Sequence, residues 1–499
     1  MLVKLSAAAL HGVDALAVSV EVRVGRGIHF TMGGLPNSAV RESHTRVRSA
    51  IEVAGYRWPG RGITVNLAPA DVRKEGTAYD LPLALGILAA SGQLAAELLE
   101  GILFVGELAL DGGLRPVRGA AVMASRARTM VLPTESAAEA ALAQGVTVYG
   151  ADSLSAVIAH LNGSVQLKPT PCGMDALLAG AANEIAEATL GAVRGQEAAL
   201  RGLELAMAGG HNMLLVGPPG AGKTMIAKSA PALIPPLTAA EQIQVSRIHS
   251  VRKKSSGQHK FGRPFRAVHH STTQTTLLGG GADPRPGEIS LAHGGVLFLD
   301  ELGEWDRHVL NALRDPLESG RITISRAQVS VDFPCEFQLI AATNPCPCGY
   351  LGHVSRRCDC SEHRITAYRR RFSGPLLDRI DIQLDIHPVN LRALDPRKFT
   401  GDSVGVRKAR VLRARAIQSK RNPGGRTNSR LNPAEVLRIV KISNALRLFL
   451  IEAMNSYHLS ARSHDRVLKM ARTLADLDGR KNVSKRDLAE ALQYRRAGQ

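Results

Sequence analysis

Eight consecutive residues, Gly217, Pro218, Pro219, Gly220, Ala221, Gly222, Lys223 and Thr224, satisfy the spacing G-x-x-x-x-G-K-[ST]. Glycines at these points let backbone N–H groups wrap a chain of phosphates. Lys223 can then reach the β and γ oxygens, and Thr224 offers its hydroxyl to Mg²⁺. An apolar stretch (MLLV) precedes the loop and a helical one (TMIAKSA) follows it, a context that a chance glycine-rich loop would lack. Residues 295–301 (GVLFLDE) supply the other half of such a site, an apolar strand that ends in two carboxylates. Asp300 suits the Mg²⁺ shell and Glu301 can polarise the attacking water. The expected ligands are ATP and Mg²⁺.

Three more residues follow in the order that a ring-forming nucleotide engine would need. Asn344 comes directly after QLIAAT, where a polar side chain can hold the lytic water beside the γ-phosphate. Arg379, in GPLLDRID, could stabilise charge on a neighbouring subunit's nucleotide as an arginine finger. Arg462, in LSARSHDRV, could touch the γ-phosphate from a helical lid. Each of the three could instead be an ordinary surface or salt-bridged residue. An Arg379 that works in trans requires a homo-oligomeric ring, and a hexamer is expected.

Two further groups stand outside the nucleotide motifs. Cys346, Cys348, Cys358 and Cys360 form C-x-C-x₉-C-x-C. Four thiolates on one loop could close a tetrahedral, structural Zn²⁺ site, with Asp359, His353 and His363 as alternative ligands. The other reading is four reduced cysteines in a proline-bent loop. Residues 319–334 (SGRITISRAQVSVDFP) read as a hairpin, because RITIS and VSVDF alternate, with Arg326-Ala327 between them. An arginine at such a tip would meet the phosphates of DNA in a ring's pore, with Arg321 flanking it. A hairpin packed between subunits is the alternative. His269, His270 and residues 272–276 lie in an insertion over 266–287 that could also line the pore or serve structure alone.

The elements that must carry these residues fall into three regions. Up to about residue 167, strands and helices alternate: 18–24 has strand spacing, 101–110 reads as a short strand with a Gly-rich turn, and 39–54 reads as one helix closed by Gly55. Residues 168–185 read as a linker, opened by KPTPCG. From 186 to 388, short apolar strands (213–216, 295–299, 338–342) alternate with helices, the pattern of a parallel sheet covered on both faces. From 389 to 499 the chain is helical and basic. Residues 401–430 hold nine Lys or Arg against one Asp. Helices are expected over 433–453 and 461–477. The fold class is α/β throughout the first two regions.

The 499 residues allow two to four domains at about 100–200 residues each. Aromatics are only 4%, so aliphatic side chains and Ala must fill the cores. Lys plus Arg is 63 against 44 Asp plus Glu, a net charge of +19 that favours a polyanionic partner. The opening residues lack the apolar core of a signal peptide, and no stretch reaches the roughly 18 uncharged apolar residues of a membrane span. A cytoplasmic protein without a disulfide framework is expected.

Longer runs now support a resemblance. GLPNSAVRES (34–43), TVNLAPADVRKEG (64–76), GELALDGGLRPVRG (106–119), VRGQEAALRGLELAMAGGHNMLLVGPPGAGKT (193–224), GGGADPRPGEISLAHGGVLFLDEL (279–302), NPCPCGY (344–350), SGPLLDRIDI (373–382) and LSARSHDRVLKMARTLADL (459–477) make the chain resemble the YifB/ComM family. That family is a magnesium-chelatase-subunit-I-like branch of AAA+ ATPases. The resemblance implies a Lon-protease-like (ribosomal S5 domain 2-type) N-terminal domain over 1–167, an AAA+ core over 186–388 and a helical lid over 389–499. For the ComM branch it implies a hexameric helicase that drives branch migration of single-stranded or branched DNA during transformation. The family usually has Phe where Trp305 stands and Pro where Val268 stands, which reads as neutral variation. Lon-type proteases use a Ser–Lys pair. The corresponding segment here (KEGTAYD, 74–80) has Ala78 where the serine is expected, and RPVRGAAVMAS after Gly106-Glu107 holds no lysine. Thr77 without that base is a poor substitute, so a non-proteolytic domain is expected. Two other functions compete with a DNA motor: a chelatase-like ATPase that remodels a partner protein for metal insertion, and a protein unfoldase.

Overall fold

A computed structural model describes the chain except residues 71–73, 75, 174–182, 253–261, 282–283, 327–328, 354–355, 373, 375, 390–400, 458 and 496–499. The central part of the expected linker, and Ala327 at the expected hairpin tip, therefore lie outside the described residues. Among the described residues no helix is long and apolar enough to cross a membrane.

The first sheet has seven strands in the order Phe30–Gly33, Gly62–Ala68, Asp14–Gly25, Leu2–His11, Ile102–Phe104, Thr129–Pro133, Thr147–Ala151. The two long strands pair antiparallel, and the last three join as parallel neighbours. Val3, Leu5, Val20 and Val22 alternate inward from the long strands and meet helix Asp80–Ala90, every residue of which is buried. Gly86 lets that helix lie flat on the sheet. A Cβ there would stand 2.7 Å from Val22 Cγ2 and 2.9 Å from Leu5 Cδ1.

The second sheet is wholly parallel, in the order Phe265–Val268, Val296–Leu299, Gln338–Thr343, Met213–Val216, Ile382–Asp385. Its central strands are buried on both faces, which is why they read as unbroken apolar runs. The C-terminal helices close on its flank. Val411, Ala471 and Leu474 share one core with Leu203, Leu205 and Met213.

The basic C-terminal region uses much of its charge internally. Arg407 pairs with buried Glu204 at 2.5 Å and also with Glu197. Arg421 forks onto Asp476 at 2.6 and 2.8 Å, and Lys408 pairs with Glu187 at 2.5 Å. Arg415 donates to the carbonyl of Met207, and Arg413 to that of Leu477. Guanidinium groups satisfied in this way hold the helices together and are poorly placed to neutralise phosphate.

Several expected elements differ in detail. The single helix over 39–54 is two, Ser38–Arg41 and Ser43–Val53, with a turn at Glu42. The helix over 433–453 is also two, Pro433–Ile439 and Asn444–Ser456. Ser443 ends the continuity by accepting from the Leu446 N–H as an N-cap. The strand over 101–110 breaks at Gly106, whose N–H bonds to Ala78 and whose carbonyl accepts from Leu81.

The hairpin over 319–334 forms as strands Arg321–Arg326 and Val329–Pro334. Arg326 pairs with Val329 at the end of the ladder, beside the turn rather than at its apex. Ile324, Val331 and Phe333 make a small core on one face, and Val13, from the turn between the first sheet's two long strands, packs on it. A Cβ at Gly12 would stand 2.2 Å from Val331 Cγ1, so the Gly12-Val13 turn sits against the hairpin. The other face is polar, with Thr323 donating to Asp332 at 2.6 Å and Ser325 3.0 Å from Ser330. A second joint lies at helix Ala239–Arg252. Its Ser250 carbonyl accepts from Gly119, and Val251 enters the core around Ala120 and Val122.

Phe333 is completely buried at the first of these joints. Phe333→Ala should therefore lower stability by ~3–5 kcal/mol. Denaturant unfolding reads the loss, and a shift below about 1 kcal/mol would mean that the joint contributes little.

Candidate functional site

Parallel pairing brings three chain segments together at the C-terminal edge of the second sheet. Met213–Val216 delivers the loop 217–222, Val296–Leu299 delivers Asp300 and Glu301, and Gln338–Thr343 delivers Asn344. The glycines of the loop have different reasons. Gly217 is required by packing, because a Cβ would lie 2.3 Å from the Ile386 carbonyl oxygen. Gly220 and Gly222 have φ of +77° and +90° with open space where a Cβ would stand. The loop backbone therefore faces an open cradle that suits a chain of phosphates.

Lys223 opens the helix Lys223–Ser229. Its Nζ donates to the carbonyls of Gly217 (2.6 Å) and Pro218 (2.9 Å) and to Asn344 Oδ1 (3.1 Å). Burial lowers its pKa from the ordinary lysine value, while Asp300 and Glu301 pull the other way. Thr224 Oγ1 donates to Asp300 Oδ2 at 2.9 Å, so the two oxygens expected around Mg²⁺ already stand side by side. The open cradle and this oxygen pair fit ATP and Mg²⁺.

Asp300 is fixed at two further points. Its Oδ1 accepts from the Glu301 N–H at 3.0 Å, and its carbonyl accepts from the indole N–H of buried Trp305 at 2.9 Å. The substitution that reads as neutral in sequence thus adds a hydrogen bond that Phe could not make. Glu301 has φ of +51°, a left-handed backbone that is uncommon outside glycine. Its carboxylate turns toward His270, with Nδ1 2.9 Å away but off the line of a good hydrogen bond, and His269 Nε2 is 3.7 Å away. The two imidazoles pack 4.0 Å apart at the end of strand Phe265–Val268. The sequence leaves these histidines to a pore lining or to structure alone; here they contact the carboxylate expected to act on water. Their position just after an apolar strand was the available signal.

The four cysteines gather. Cys346 Sγ lies 3.4 Å from Cys348 Sγ and 3.7 Å from Cys358 Sγ, and all four sulfurs fall within 4.8 Å of one another. His353 turns away to accept from the Arg356 N–H, and Asp359 and His363 lie outside the cluster. A hydrogen bond from the Tyr350 backbone, with others from the neighbouring thiols, brings the Cys348 thiol down to about 6. At Cys358 a hydrogen bond from the Cys360 backbone pulls the thiol down, but burial together with Cys348 and Cys346 outweighs it and pushes the thiol up to about 12. Thiols this close cannot all ionise alone, and a divalent cation would remove that conflict.

Arg379 and Arg462 do not join this edge. Ile382 pairs with Met213, so Arg379, three residues earlier, lies by the N-terminal edge of the sheet. It pairs there with Glu318 at 2.5 Å. Arg462 opens helix Ala461–Leu477 and lies 3.8 Å from Asp378, beside Arg379. Arg321 is exposed on the hairpin, and the side chain of Arg326 lies outside what is described. In the first domain Thr77 donates to Glu107, and Asp80 is clamped by Arg46 at 2.7 and 3.0 Å. Burial raises the Asp80 carboxyl to about 6 despite that pairing.

Three family models cover most of the chain. One described as "Magnesium chelatase, subunit ChlI" matches residues 189–394, "Subunit ChlI of Mg-chelatase" matches 20–135, and "Magnesium chelatase, subunit ChlI C-terminal" matches 401–495. The competence protein ComM of Haemophilus influenzae is 43% identical over 492 residues, covering 97% of this chain and 95% of its own. The protein YifB of Salmonella typhimurium is 43% identical with the same coverage. A Mycobacterium bovis relative is 39% identical, covering 98% of each chain.

The indole bond to Asp300 can be separated from packing by two substitutions. Trp305→Phe should cost about 1 kcal/mol, the hydrogen bond alone, whereas Trp305→Ala should cost ~3–5 kcal/mol. Denaturant unfolding of the pair checks this, and equal losses would mean that the N–H contributes nothing separable.

Proposed function

The chain belongs to the YifB/ComM family of magnesium-chelatase-like AAA+ ATPases, and on that premise we propose that it is a ring-forming motor that hydrolyses ATP to move DNA. The observation that carries the ring is the separation of its polar groups. Lys223, Thr224, Asp300 and Asn344 converge at one edge of a parallel sheet, and Arg379 and Arg462 stand at the other. Four-residue strands at about 3.3 Å per residue put the edges more than ~10 Å apart. Both arginines therefore face away from their own phosphate loop and act on the nucleotide of the next subunit. A hexamer is the expected closure.

Within each site the roles divide as follows. Lys223 exchanges the loop carbonyls for β and γ oxygens. Thr224 and Asp300 hold Mg²⁺, which when bound neutralises charge on the phosphates. Glu301 leaves His270 to take the proton of the attacking water, and Asn344 orients that water. The four cysteines hold a Zn²⁺. Residues 1–167 form a Lon-like domain that does not cut peptides, since Ala78 stands in place of a serine and the Thr77 hydroxyl is committed to Glu107. Residues 168–185 link it to an ATPase core over 186–388, and 389–499 form the lid.

DNA as the substrate is supported by the +19 charge, by the likeness to a competence protein, and by exposed Arg321, Arg356, Arg357, Arg364 and Arg370. The family's chelatase name favours a second reading, in which the same ring remodels a partner protein for metal insertion.

If Arg379 acts in trans, Arg379→Ala and Lys223→Ala should each be inactive alone, and mixed rings should recover part of the ATPase rate. Absence of recovery in rings shown to have mixed would assign Arg379 to its own chain.

The substrate is tested by ATPase rates with and without single-stranded and forked DNA across a salt series. DNA should stimulate wild-type turnover, with binding that falls steeply as salt rises. Arg326→Ala should keep the basal rate, lose most of the stimulation and show a shallower salt slope. A rate indifferent to every DNA at low salt would favour the remodelling reading.

A further inference from the structure

The cysteine cluster reaches the nucleotide site from both of its ends. Its first arm begins two residues after Asn344, whose Oδ1 touches Lys223. Gly349, inside that arm, has φ of +84° and lies directly on the phosphate loop. A Cβ there would stand 2.7 Å from Pro219 Cδ and 3.8 Å from Asn344 Cγ.

Its second arm, after Cys358 and Cys360, runs straight into helix Glu362–Phe372. That helix sends Tyr368 back under the site. The phenol oxygen lies 3.2 Å from Thr343 Oγ1, at the end of the strand that delivers Asn344. The same ring lies against Gly303, two residues beyond Glu301, where a Cβ would stand 2.1 Å from Tyr368 Cζ. Arg371, one turn on, donates to the Gly303 carbonyl at 3.1 Å.

The first arm thus sets Pro219 and Asn344, and the second sets Thr343 and the segment after Glu301. The sulfur cluster, in which Cys348 and Cys358 lie 3.5 Å apart, ties the arms to each other, beside an exposed hydrogen bond from Arg356 to the Tyr350 hydroxyl at 2.7 Å. We propose that a zinc ion held by Cys346, Cys348, Cys358 and Cys360 positions Asn344, the phosphate loop and the Glu301 segment, so that zinc occupancy sets the rate of ATP hydrolysis. The proposal rests on the zinc reading given above and adds a coupling to it. The cysteines are positioning residues here, because none of them touches nucleotide. With the arms untied, the phosphate cradle remains and its fine geometry relaxes. Displacements of about 1 Å at such groups cost on the order of a hundredfold in turnover.

The experiment uses the full chain. Metal analysis of protein purified without chelator should find about one zinc per chain, the count of a four-thiolate site. Dialysis against a chelator, followed by restored Mg²⁺, should lower kcat by about tenfold to a hundredfold. KM for ATP should stay near its starting value, because the lost interaction acts on the chemical step. Added Zn²⁺ should restore kcat. Tyr368→Phe provides a second route that keeps every sulfur. It should retain zinc, stay folded with a melting point lowered only by the loss of one hydrogen bond, and still lose several-fold in kcat. Absence of zinc both as purified and after reconstitution would remove the zinc reading and the coupling with it. Zinc that is present and removable with kcat unchanged would leave the zinc reading standing and overturn the coupling. If chelation unfolds the protein, Tyr368→Phe decides: full zinc with wild-type kcat overturns the coupling.

Discussion

Parallel pairing of Met213–Val216 with Gln338–Thr343 on one side and Ile382–Asp385 on the other is the constraint on which the site depends. Parallel strands all leave the sheet at the same edge, so the loops that follow them converge there whatever their separation in sequence. Lys223 and Asn344, 121 residues apart, meet at 3.1 Å for this reason. The same rule sends whatever precedes a strand to the opposite edge. Arg379 precedes Ile382–Asp385, and Arg462 follows it there through Asp378. That register places Arg379 away from the phosphate loop of its own chain, which is the physical ground for proposing a second copy.

The helical end and the first domain brace this sheet by different means. The helices do so with buried ion pairs, such as Arg407 with Glu204 and Arg421 with Asp476, inside an apolar core shared with Leu203 and Met213. Breaking one partner of such a pair would leave a buried charge, so these arginines are held in place. The first domain is joined by the small core of Val13, Ile324, Val331 and Phe333 and by Val251 against Ala120. Net charge is therefore a poor guide to where a polyanion would lie. Much of the basic excess over 401–430 is spent on carboxylates and carbonyls, while exposed arginines stand around the cysteines, on helix Glu362–Phe372 and on the first domain, where Arg23, Arg26, Arg57 and Arg61 are exposed.

Much of this was legible in the sequence, and the exceptions have physical causes. The strand Met213–Val216 and the helix Ala461–Leu477 occupy the residues that periodicity assigns them, because each is long or apolar enough for one pattern to dominate. The helix breaks at Glu42 and near Ser443 escaped, since apolar spacing carries on across a short turn; the cap at Ser443 was the overlooked signal. Cys346, Cys348, Cys358 and Cys360 could be grouped from spacing, but their contact with Pro219 through Gly349 could not. His270 against Glu301 was equally hidden, because it requires knowing that Phe265–Val268 lies beside Val296–Leu299. The indole N–H of Trp305 acts through one carbonyl, and side-chain type alone does not disclose such a hydrogen bond.

The polar groups of the site already have partners within it. Lys223 caps its own loop carbonyls and Asn344, Thr224 bonds Asp300, and Glu301 faces His270. Buried Lys223 must be paired in any state of the protein, so a nucleotide that it binds takes over contacts now made to the loop carbonyls and Asn344. Such an exchange has a small net energy and a large geometric consequence. Lys223 freed from Asn344 leaves that side chain to the water, while Glu301 keeps a left-handed backbone of the kind that costs on the order of 1–3 kcal/mol to hold. The groups that must move, Asn344 and Glu301, are the ones whose segments the cysteine arms and Tyr368 hold at their far ends.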